Sequence, residues 1–429
     1  MSVPDGGELP GDQAGLAGRR IVVIEPMSSG VAVLRSAREL GLENVVLSYD
    51  EGDRRLSGAL RDLADRLVKL DTNDEGAVIS AVDALNAERP VLGIMPGFEF
   101  YVPTVARVAE RLGLPGLSAR HIERVRNKAE MMRLVRQAGP AVPRYALVES
   151  YDQLAEAAAQ VGFPCVAKPV DSAGSVHVTR ADTTEQLREA YRWMCDDERL
   201  DLGRRAGDRM LVTSYLEGPE FSVEGYVSDR QVRTVSITAK MLGPEPHFVE
   251  TGHIVQAGLP DHVRSSIENF VADVVRALDI TLGPFHCELR LVKNEPVLIE
   301  IGVRLAGDHI VDLVDLATGT SLARVMLALH TGLSFASVGV QRAPQAKCAG
   351  IRFFTAPDGM RSYRQARGLD EARAMVGVTE LELDIDAGDP IPPAEDFRCR
   401  LGHAIFTADS YLEATERWRL LGEAVRFVN

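Results

Sequence analysis

The sequence predicts a mixed α/β and α+β protein: a parallel, doubly wound N-terminal domain, a largely antiparallel middle region and a small α+β C-terminal lobe. Between residues 19 and 118, apolar runs typical of strands alternate with helical patterns, which indicates a parallel sheet. After residue 209, long apolar strands follow one another directly, which favours antiparallel pairing. From residue 346 onward, a shorter set of strand and helix patterns closes the chain.

The first domain is predicted from four apolar strands, at 21–25, 44–49, 66–70 and 91–95. A helix over 28–41, ended by Gly41, follows the first strand. The turn between them, EPMSSG (25–30), either binds an anion at the helix N-terminus or is a tight strand-to-helix connection. Because this turn lacks the GxGxxG pattern of dinucleotide binding, an NAD oxidoreductase is the weaker alternative.

Composition excludes several classes of protein. The chain has 429 residues, 45% of them hydrophobic and 26% charged, which suits about two to four domains with a large core. A net charge of −14 argues against a general binder of nucleic acid or membrane surfaces, because phosphate contacts need clustered lysine and arginine. Residues 1–18 lack the pattern of a secretory signal and are expected to form a disordered tail. No apolar run reaches the roughly eighteen residues of a membrane span, so a cytoplasmic protein is expected.

The five cysteines are widely spaced and include no CxxC pair. They are expected to be free, mostly buried thiols in a reducing compartment. A catalytic thiol is the less favoured alternative.

The most informative stretch, FHCELRLVKNEPVLIEIGVRLAGD (285–308), predicts a hairpin over 284–304 about a turn at 293–295. Eight apolar side chains share the face that can enter a core: Phe285, Cys287, Leu289, Leu291, Val297, Ile299, Ile301 and Val303. With the turn centred on Asn294, Glu288 lies opposite Glu300 on the other face. Directly opposed like charges destabilise a ladder by up to about 1 kcal/mol, and a divalent cation between them reverses the sign.

Carboxylates without histidine or cysteine partners at soft-metal spacing favour a hard cation such as Mg²⁺, shared with phosphate oxygens. Arg304 lies on the same face as the two acids and can neutralise negative charge that develops beside the metal. The alternative is a solvated polar face that carries acids by chance. Two acids in register with an arginine favour the metal site.

Only six of the 48 basic residues are lysines, and two of those before the hairpin, Lys128 and Lys168, lie in separate elements at positions suited to phosphate. Lys128 begins a helix after Asn127, and Lys168 ends an apolar strand. A lysine ammonium on a flexible stem suits a point contact with phosphate. The loop DSAGS (171–175) can offer backbone N–H groups to the same phosphate. Each lysine alone is more often a solvated surface residue, but together with the loop they favour a nucleotide.

The order of these features resembles the ATP-grasp superfamily: Lys128, Lys168, the small-residue loop, LEGPE (216–220) and the acidic hairpin. The resemblance covers nearly the whole chain. It implies a pre-ATP-grasp domain over 19–118, an ATP-grasp domain over 119–345 with a lid at about 140–212, and a C-terminal lobe over 346–429. Within the superfamily, EIGVRLAGD (300–308) is most similar to the L-amino acid ligases, which make dipeptides.

The resemblance also implies roles for individual residues. The residues that would bind ATP are Lys128, Lys168, Ser172, Gly174, Ser175, Thr213, Tyr215, Leu216 and Glu220, with 213–216 as the adenine hinge and Glu220 on the ribose hydroxyls. Glu288 and Glu300 resemble the ligands of one or two Mg²⁺ ions, which Mn²⁺ can replace, and Glu300 and Arg304 the catalytic residues. The residues on the substrate side would be Glu99, His253, Gln256, His286, Arg290, Arg304 and Gly307. His309, His330 and His403 are interpreted as structural.

Two positions depart from the family pattern. Thr213 stands where the family often has glutamate, and Gly302 stands where its metal run, Glu-x-Asn, has asparagine. Gly302 has no side chain to bind a metal. A second Mg²⁺ would then depend on Glu300 bridging both ions, on water, or on Asp308.

The activity that the resemblance implies is that of a carboxylate–amine ligase. A substrate carboxylate attacks the γ-phosphate of ATP to give an acyl phosphate and ADP, and an amine then displaces phosphate. The implied substrates are two amino acids, or an acyl amino acid and an amino acid, without a nucleic-acid or membrane partner; a homodimer is compatible with this interpretation. The alternatives are a purine-pathway-type ligase, a biotin-carboxylase-like enzyme, and a non-catalytic nucleotide-binding module.

Overall fold

The computed structural model describes residues 15–205, 207–357 and 359–428. Its N-terminal domain is a four-stranded parallel sheet in the order β3-β2-β1-β4. The elements of this domain are β1 (Arg20–Ile24), α1 (Gly30–Glu39), β2 (Glu43–Ser48), α2 (Gly58–Leu63), β3 (Arg66–Lys69), α3 (Glu75–Glu88), β4 (Val91–Pro96) and α4 (Val102–Leu112). The predicted parallel domain is confirmed.

Strand β1 explains why this sheet is buried on both faces. Ile21 and Val23 belong to the core shared with α1, whereas Val22 and Ile24 belong to the core under α3 and α4. Parallel strands covered by helices on both sides are expected to be apolar at every position, as this strand is.

The predicted tail ends earlier than residue 18. Residues 1–14 lie outside the described residues, but Leu16 is 3% exposed and packs into the core that contains Leu40 and Leu42. An apolar side chain buried this fully contributes about 1.5–3 kcal/mol. The segment 15–18 is therefore part of the folded domain.

The second sheet is antiparallel, in the order β5-β8-β6-β7, and coincides with the predicted lid. The elements from the linker to the end of this sheet are α5 (Ile122–Arg126), α6 (Lys128–Ala138), β5 (Tyr145–Val148), α7 (Leu154–Val161), β6 (Cys165–Pro169), β7 (Thr179–Ala181), α8 (Thr184–Asp196) and β8 (Met210–Ser214). Asn127 caps α6, because its side chain accepts hydrogen bonds from the N–H groups of Ala129 and Glu130. Lys128 thereby becomes the first residue of that helix.

The third sheet has eight strands in the order β13-β12-β9-β10-β11-β14-β17-β16. The elements before the C-terminal lobe are β9 (Glu220–Ser228), β10 (Gln231–Leu242), β11 (Glu250–Val255), α9 (Asp261–Ala277), β12 (Gly283–Val292), β13 (Glu295–Gly302), α10 (Ile310–Thr318), α11 (Leu322–Thr331) and α12 (Phe335–Val338). Those of the lobe are β14 (Cys348–Thr355), β15 (Gln365–Arg367), α13 (Leu369–Arg373), β16 (Val378–Leu383), β17 (Arg400–Ala408), α14 (Tyr411–Ala424) and β18 (Arg426–Val428). Three strands of the lobe thus extend the central sheet.

The hairpin β12–β13 places Glu288 opposite Glu300, as predicted, but by a different route. The turn has two residues, Lys293 and Asn294, both with positive φ (53° and 68°), the geometry of a type I′ turn. A two-residue turn alone would pair Glu288 with Ile299. The register shifts after Glu288, so that Leu289 pairs with Leu298, and this bulge restores the opposition of the acids.

The bulge also changes which residues of β13 enter the core, so the predicted core face was wrong for part of this strand. Val297 and Ile299 were expected in the core, but both are only partly buried, whereas Leu298 is fully buried in their place. A single extra residue reverses the period-two alternation of a strand. Beyond the bulge, Ile301 is buried as expected.

All five cysteines are free, and four of them are buried, as predicted; Cys195 is exposed. Among the described residues, each helix is either too short or too polar to cross a lipid bilayer.

His330 joins the N-terminal domain to α11. It is 5% exposed, and its Nδ1 lies 3.1 Å from the carbonyl oxygen of Ile94 on β4. Burial lowers the pKa of His330 to about 4, although the Ile94 carbonyl opposes this shift. The interpretation of His330 as structural is consistent with these contacts.

Because the pKa of His330 lies below its unfolded value of about 6.5, only the unfolded chain gains this proton between those pH values. The corresponding stability is complete above pH 6.5 and is lost as the pH falls towards 4, by up to about 3 kcal/mol. We expect the urea midpoint of His330→Gln to fall less than that of the wild type between pH 7 and pH 4.5. The exposed His262 provides the control, as His262→Gln. Equal acid sensitivity of wild type and His330→Gln would contradict the lowered pKa of His330 as a source of acid instability.

Candidate active site

One cavity of about 250 Å³ lies where the parallel domain, the lid and the central sheet meet. Ser28 and Ser29, in the turn EPMSSG, line it beside Glu99 from the end of β4. The lid contributes the loop at 172–175, and the hairpin β12–β13 contributes its acidic face. Carboxyl ends of parallel strands are common ligand sites, and here β4 opens into this cavity.

The two opposed acids lie on one wall of the cavity, with the two lysines beside them. Lys128 Nζ lies 3.4 Å and Lys168 Nζ 4.0 Å from Glu300 Oε2. Lys168 also donates a hydrogen bond to the carbonyl oxygen of Ile299, at 3.2 Å. Burial lowers the pKa of Lys168, and the nearby Lys128 adds to this effect while Glu300 opposes it. Two buried ammonium groups this close favour an anionic ligand between them.

Glu288 is held by two cations, His286 on its own strand and Lys240 on β10. Its Oε1 accepts hydrogen bonds from Lys240 Nζ at 2.7 Å and from His286 Nε2 at 3.1 Å. Burial alone would lower the pKa of His286, but hydrogen bonds to Glu224 and Glu288 raise it to about 9. His286 is therefore charged at neutral pH and positions Glu288. His286 was predicted on the substrate side, and it lines the cavity while it makes these two ion pairs.

Lys240 on β10 is a central cation of the cavity wall that sequence reasoning missed. Its Nζ lies 2.6 Å from Glu250, 2.7 Å from Glu288 and 2.9 Å from Glu220. Burial disfavours the charge on Lys240, but these three carboxylates raise its pKa well above the usual range. One signal in the sequence could have identified Lys240. It lies two positions after Thr238 on an apolar strand, so both polar side chains are on the same face of that strand.

Arg304 and Glu99 form the next part of the wall. Arg304 Nε and Nη2 lie 2.9 Å and 2.8 Å from Glu99 Oε2, and Arg126 donates to the other oxygen of Glu99. Burial alone would raise the pKa of Glu99, but Arg304, Arg126 and Lys128 lower it to about 2. A carboxylate from the parallel domain thus orients the arginine that follows β13.

Asp308 links the segment after β13 to the C-terminal lobe. It accepts hydrogen bonds from Arg400 Nη1 and Nη2, at 2.8 Å and 2.9 Å, and lies 3.1 Å from His253 Nε2. Burial disfavours the charge on Asp308, but Arg400 and His253 hold its pKa well below the usual range. Asp308 is therefore part of this charged network, and its use by a second metal stays a prediction. Arg400 was another residue that the sequence analysis missed.

The small-residue loop covers the cavity and is held from three sides. Lys128 Nζ donates to the carbonyl oxygen of Ser172 at 2.6 Å, and Ala173 packs into a core of the parallel domain. Gly174 has φ 66°, and a Cβ there would lie 3.0 Å from the ring of Phe397 in the C-terminal lobe. A larger residue at 174 would therefore push the loop away from Phe397.

The structure brings most of the predicted residues to this cavity. Those that line it are Glu99, Lys128, Lys168, Ser172, Gly174, Ser175, Thr213, Leu216, Glu220, His253, His286, Glu288, Arg290, Glu300, Arg304 and Gly307. Two predicted residues do not. The Tyr215 hydroxyl donates to Glu245 at 2.6 Å, outside the cavity, and the carbonyl oxygen of Gln256 accepts from Cys348 Sγ at 3.7 Å.

Arg290 was predicted on the substrate side, and it lies beside the predicted adenine hinge at one end of the cavity. Its Nε donates to Glu220 at 3.0 Å and its Nη1 to the carbonyl oxygen of Leu216 at 2.7 Å. Its guanidinium carbon is 5.4 Å from the centre of the Tyr215 ring. Arg290 therefore orients the predicted ribose carboxylate, Glu220, and Tyr215 stacks behind the cavity wall.

Gly302 leaves room for the Arg304–Glu99 pair. A Cβ at this position would lie 3.6 Å from both Arg304 Nε and Glu99 Oε2, which is ordinary contact. A longer side chain such as asparagine would have to share this space with the ion pair. The departure at Gly302 thus coincides with the close approach of Arg304 and Glu99.

Three family models match the chain. An ATP-grasp N-terminal domain matches residues 34–116, an ATP-grasp domain matches 161–312, and the L-amino acid ligase C-terminal domain 2 matches 352–429. The chain is an ATP-grasp ligase. The third match lies in the lobe that contributes Phe397 to the cavity lining and Arg400 to the ion pair with Asp308, so the predicted resemblance to L-amino acid ligases is confirmed.

Similar proteins agree with this family. The crystal structure of L-amino acid ligase from Bacillus licheniformis matches with a TM-score of 0.79 and 26% identity, over 96% of this chain and 99% of that chain. Alanine–anticapsin ligase of Bacillus subtilis is 24% identical over 245 residues, which is 53% of this chain and 52% of that protein. An uncharacterized protein of Sinorhizobium fredii is 28% identical over 395 residues, 91% of this chain and 78% of that protein. The ligase is thus an ATP-grasp carboxylate–amine ligase that is similar to the L-amino acid ligase and to the alanine–anticapsin ligase.

The acidic face of the ligase fits the hard cation that its family implies. Glu288 and Glu300 supply carboxylate oxygens from directly paired positions, as Mg²⁺ prefers. The hydrogen bonds from Lys240 and His286 both go to Glu288 Oε1, so that Oε2 is available to a metal. The donor set contains no thiolate, which argues against a soft metal.

Proposed function

We propose that the ligase joins two amino acids, or an acyl amino acid and an amino acid, through an amide bond, with conversion of ATP to ADP and phosphate. The observation that carries this proposal is a single cavity lined by the Glu288–Glu300 pair, by Lys128 and Lys168, and by Arg304. The match of residues 352–429 to the L-amino acid ligase C-terminal domain 2 supports an amino acid as the substrate.

In the first step, the substrate carboxylate attacks the γ-phosphate of ATP. Lys128 and Lys168 hold the phosphates, because their ammonium groups lie side by side next to Glu300. Glu288 and Glu300 would hold Mg²⁺, which supplies charge neutralisation on the phosphate oxygens. The products of this step are ADP and an acyl phosphate.

In the second step, the amine attacks the acyl carbon, and inorganic phosphate leaves. Arg304, oriented by Glu99, stabilises the negative charge on the acyl oxygen and on the leaving phosphate. The loop at 171–175, held between Lys128 and Phe397, excludes water that would hydrolyse the acyl phosphate. No covalent enzyme nucleophile is required.

A screen of amino-acid pairs tests this function. The ligase is incubated with ATP, Mg²⁺ and pairs of amino acids, phosphate release is measured, and products are identified by mass spectrometry. We expect phosphate release that depends on both a carboxylate and an amine, with a product mass equal to the two substrates less one water. Release supported by bicarbonate or a ribonucleotide amine instead would favour a biotin-carboxylase-like or purine-pathway enzyme. Tight ATP binding without release would favour a non-catalytic module.

Lys168→Ala is expected to weaken ATP binding by about 1.5–3 kcal/mol, or about 10- to 150-fold in Kd, because a charge-assisted contact is lost. Lys168 is 6% exposed, so a flexible lysine on the protein surface cannot take its place beside the phosphates. Calorimetric titration with a non-hydrolysable ATP analogue measures the change. Lys347→Ala removes an exposed lysine and serves as the control. An unchanged Kd for Lys168→Ala would remove the phosphate role.

The cytoplasmic location and the homodimer stay predictions.

A further inference from the structure

A second group of metal-binding side chains lies where the segment before α10 meets the edge of the central sheet. His309 immediately precedes α10, Glu380 lies on β16 and His403 on β17. One ligand atom from each of the three lies within 4.8 Å of the other two. None of the three lines the cavity of about 250 Å³ described above, in which we propose that ATP binds. Asp308, next to His309, does line it.

His403 contacts both of the other side chains. His403 Nε2 lies 3.0 Å from Glu380 Oε1, and the rings of His309 and His403 stack with their centres 4.7 Å apart. The register of β16 and β17 pairs His403 with Glu382, so Glu380 is its diagonal neighbour. His403 is buried, whereas the His309 side chain is 42% exposed and free to adjust.

Each histidine also has a carboxylate next to its Nδ1. His309 Nδ1 lies 3.4 Å from Asp312 Oδ2, and His403 Nδ1 lies 3.9 Å from Asp384 Oδ2. Histidines that bind metals usually donate their second N–H to a carboxylate, which orients the ring and raises its basicity. The position of these carboxylates favours Nε2 as the ligand atom of both rings.

We propose that His309, Glu380 and His403 bind one divalent transition metal ion of the zinc class. Two imidazoles with one carboxylate suit zinc, cobalt or nickel and not magnesium. Metal bonds of about 2.0–2.2 Å require the ligand atoms to approach to about 3.5 Å, which a rotation of the exposed His309 side chain can supply. A water molecule completes the tetrahedral set.

Such an ion would join β17 to the segment before α10, and these two segments already contact each other through Arg400 and Asp308. Arg400 on β17 donates to Asp308, the residue before His309, and His403 lies three positions further along β17. The metal would therefore hold the C-terminal lobe beside the Arg400–Asp308 pair. Its role is structural, and it does not depend on which substrates the ligase joins.

Titration of the metal-free ligase with Co²⁺ tests the site, because tetrahedral Co²⁺ gives a strong visible absorption. The background is Glu300→Gln, which weakens competing binding at the ATP cavity. We expect one saturable equivalent that Zn²⁺ displaces, and binding more than about 100-fold weaker in His309→Ala and in Glu380→Gln. Both residues are partly exposed, so these variants are expected to fold. His262→Ala, an exposed histidine elsewhere, should bind as the background does.

A second readout is thermal unfolding. Zn²⁺ should raise the Tm of the background protein and leave that of His309→Ala unchanged. Absence of saturable Co²⁺ binding, or equal binding in His309→Ala and the background, would overturn the proposal and leave His403–Glu380 as an ion pair alone. Either result is independent of the amino-acid screen.

Discussion

Glu300→Gln is expected to lower turnover by at least about a hundredfold to a thousandfold while the fold is retained. Glu300 lies opposite Glu288 and beside Lys128 and Lys168, so in the proposed mechanism it is the carboxylate that balances metal and phosphate charges. Glutamine keeps the size of the side chain but lacks its charge. The loss should appear in kcat, measured as phosphate release with the amino-acid pair found by the screen.

Glu295→Gln provides a matched control, because Glu295 begins the same strand and is exposed. Its activity and its circular dichroism spectrum should equal those of the wild type. If Glu300→Gln retained full activity in this comparison, the metal assignment would be wrong. A variant that lost secondary structure would instead indicate that Glu300 is needed for folding.

Arg304→Met is expected to lower kcat by about 10²–10³-fold, because one positioned donor to developing negative charge is removed. Arg304 lies against Glu99 and donates its Nη1 to the carbonyl oxygen of Leu305 at 2.9 Å, so its guanidinium is held in one orientation. Burial alone would lower the pKa of Arg304, but Glu99, Glu300 and Glu288 raise it above the usual value. The arginine therefore stays charged throughout the working pH range.

Arg304→Lys should recover only part of the activity, because lysine keeps the charge but not the planar geometry of the donors. Glu99→Gln should have a smaller effect, since it leaves the arginine in place but less firmly oriented. The comparison of kcat with KM decides the role. A rise in KM at unchanged kcat would make Arg304 a substrate-binding residue without a part in the chemistry, and Arg230→Met, at an exposed arginine, controls for lost surface charge.

Local sequence patterns predicted a large part of this structure. The parallel strands of the first domain, the capped start of α6 at Lys128 and the end of β6 at Lys168 follow from apolar periodicity and from residues adjacent in the chain. The opposition of Glu288 and Glu300 was also predicted, although the turn was taken to have one residue more than it has. The bulge that compensates lies in the pairing of β12 with β13 and has no signal in the period-two pattern.

The chain by itself determined which residues could bind phosphate and metal, because those groups lie at strand ends, helix starts and hairpin positions that local physics specifies. Only the tertiary structure decided how their charges are balanced. Lys240 meets Glu288, and Arg304 meets Glu99, across sequence separations that no local pattern spans. A buried charge needs an opposite charge within a few ångströms, and that partner is chosen by the packing of whole domains.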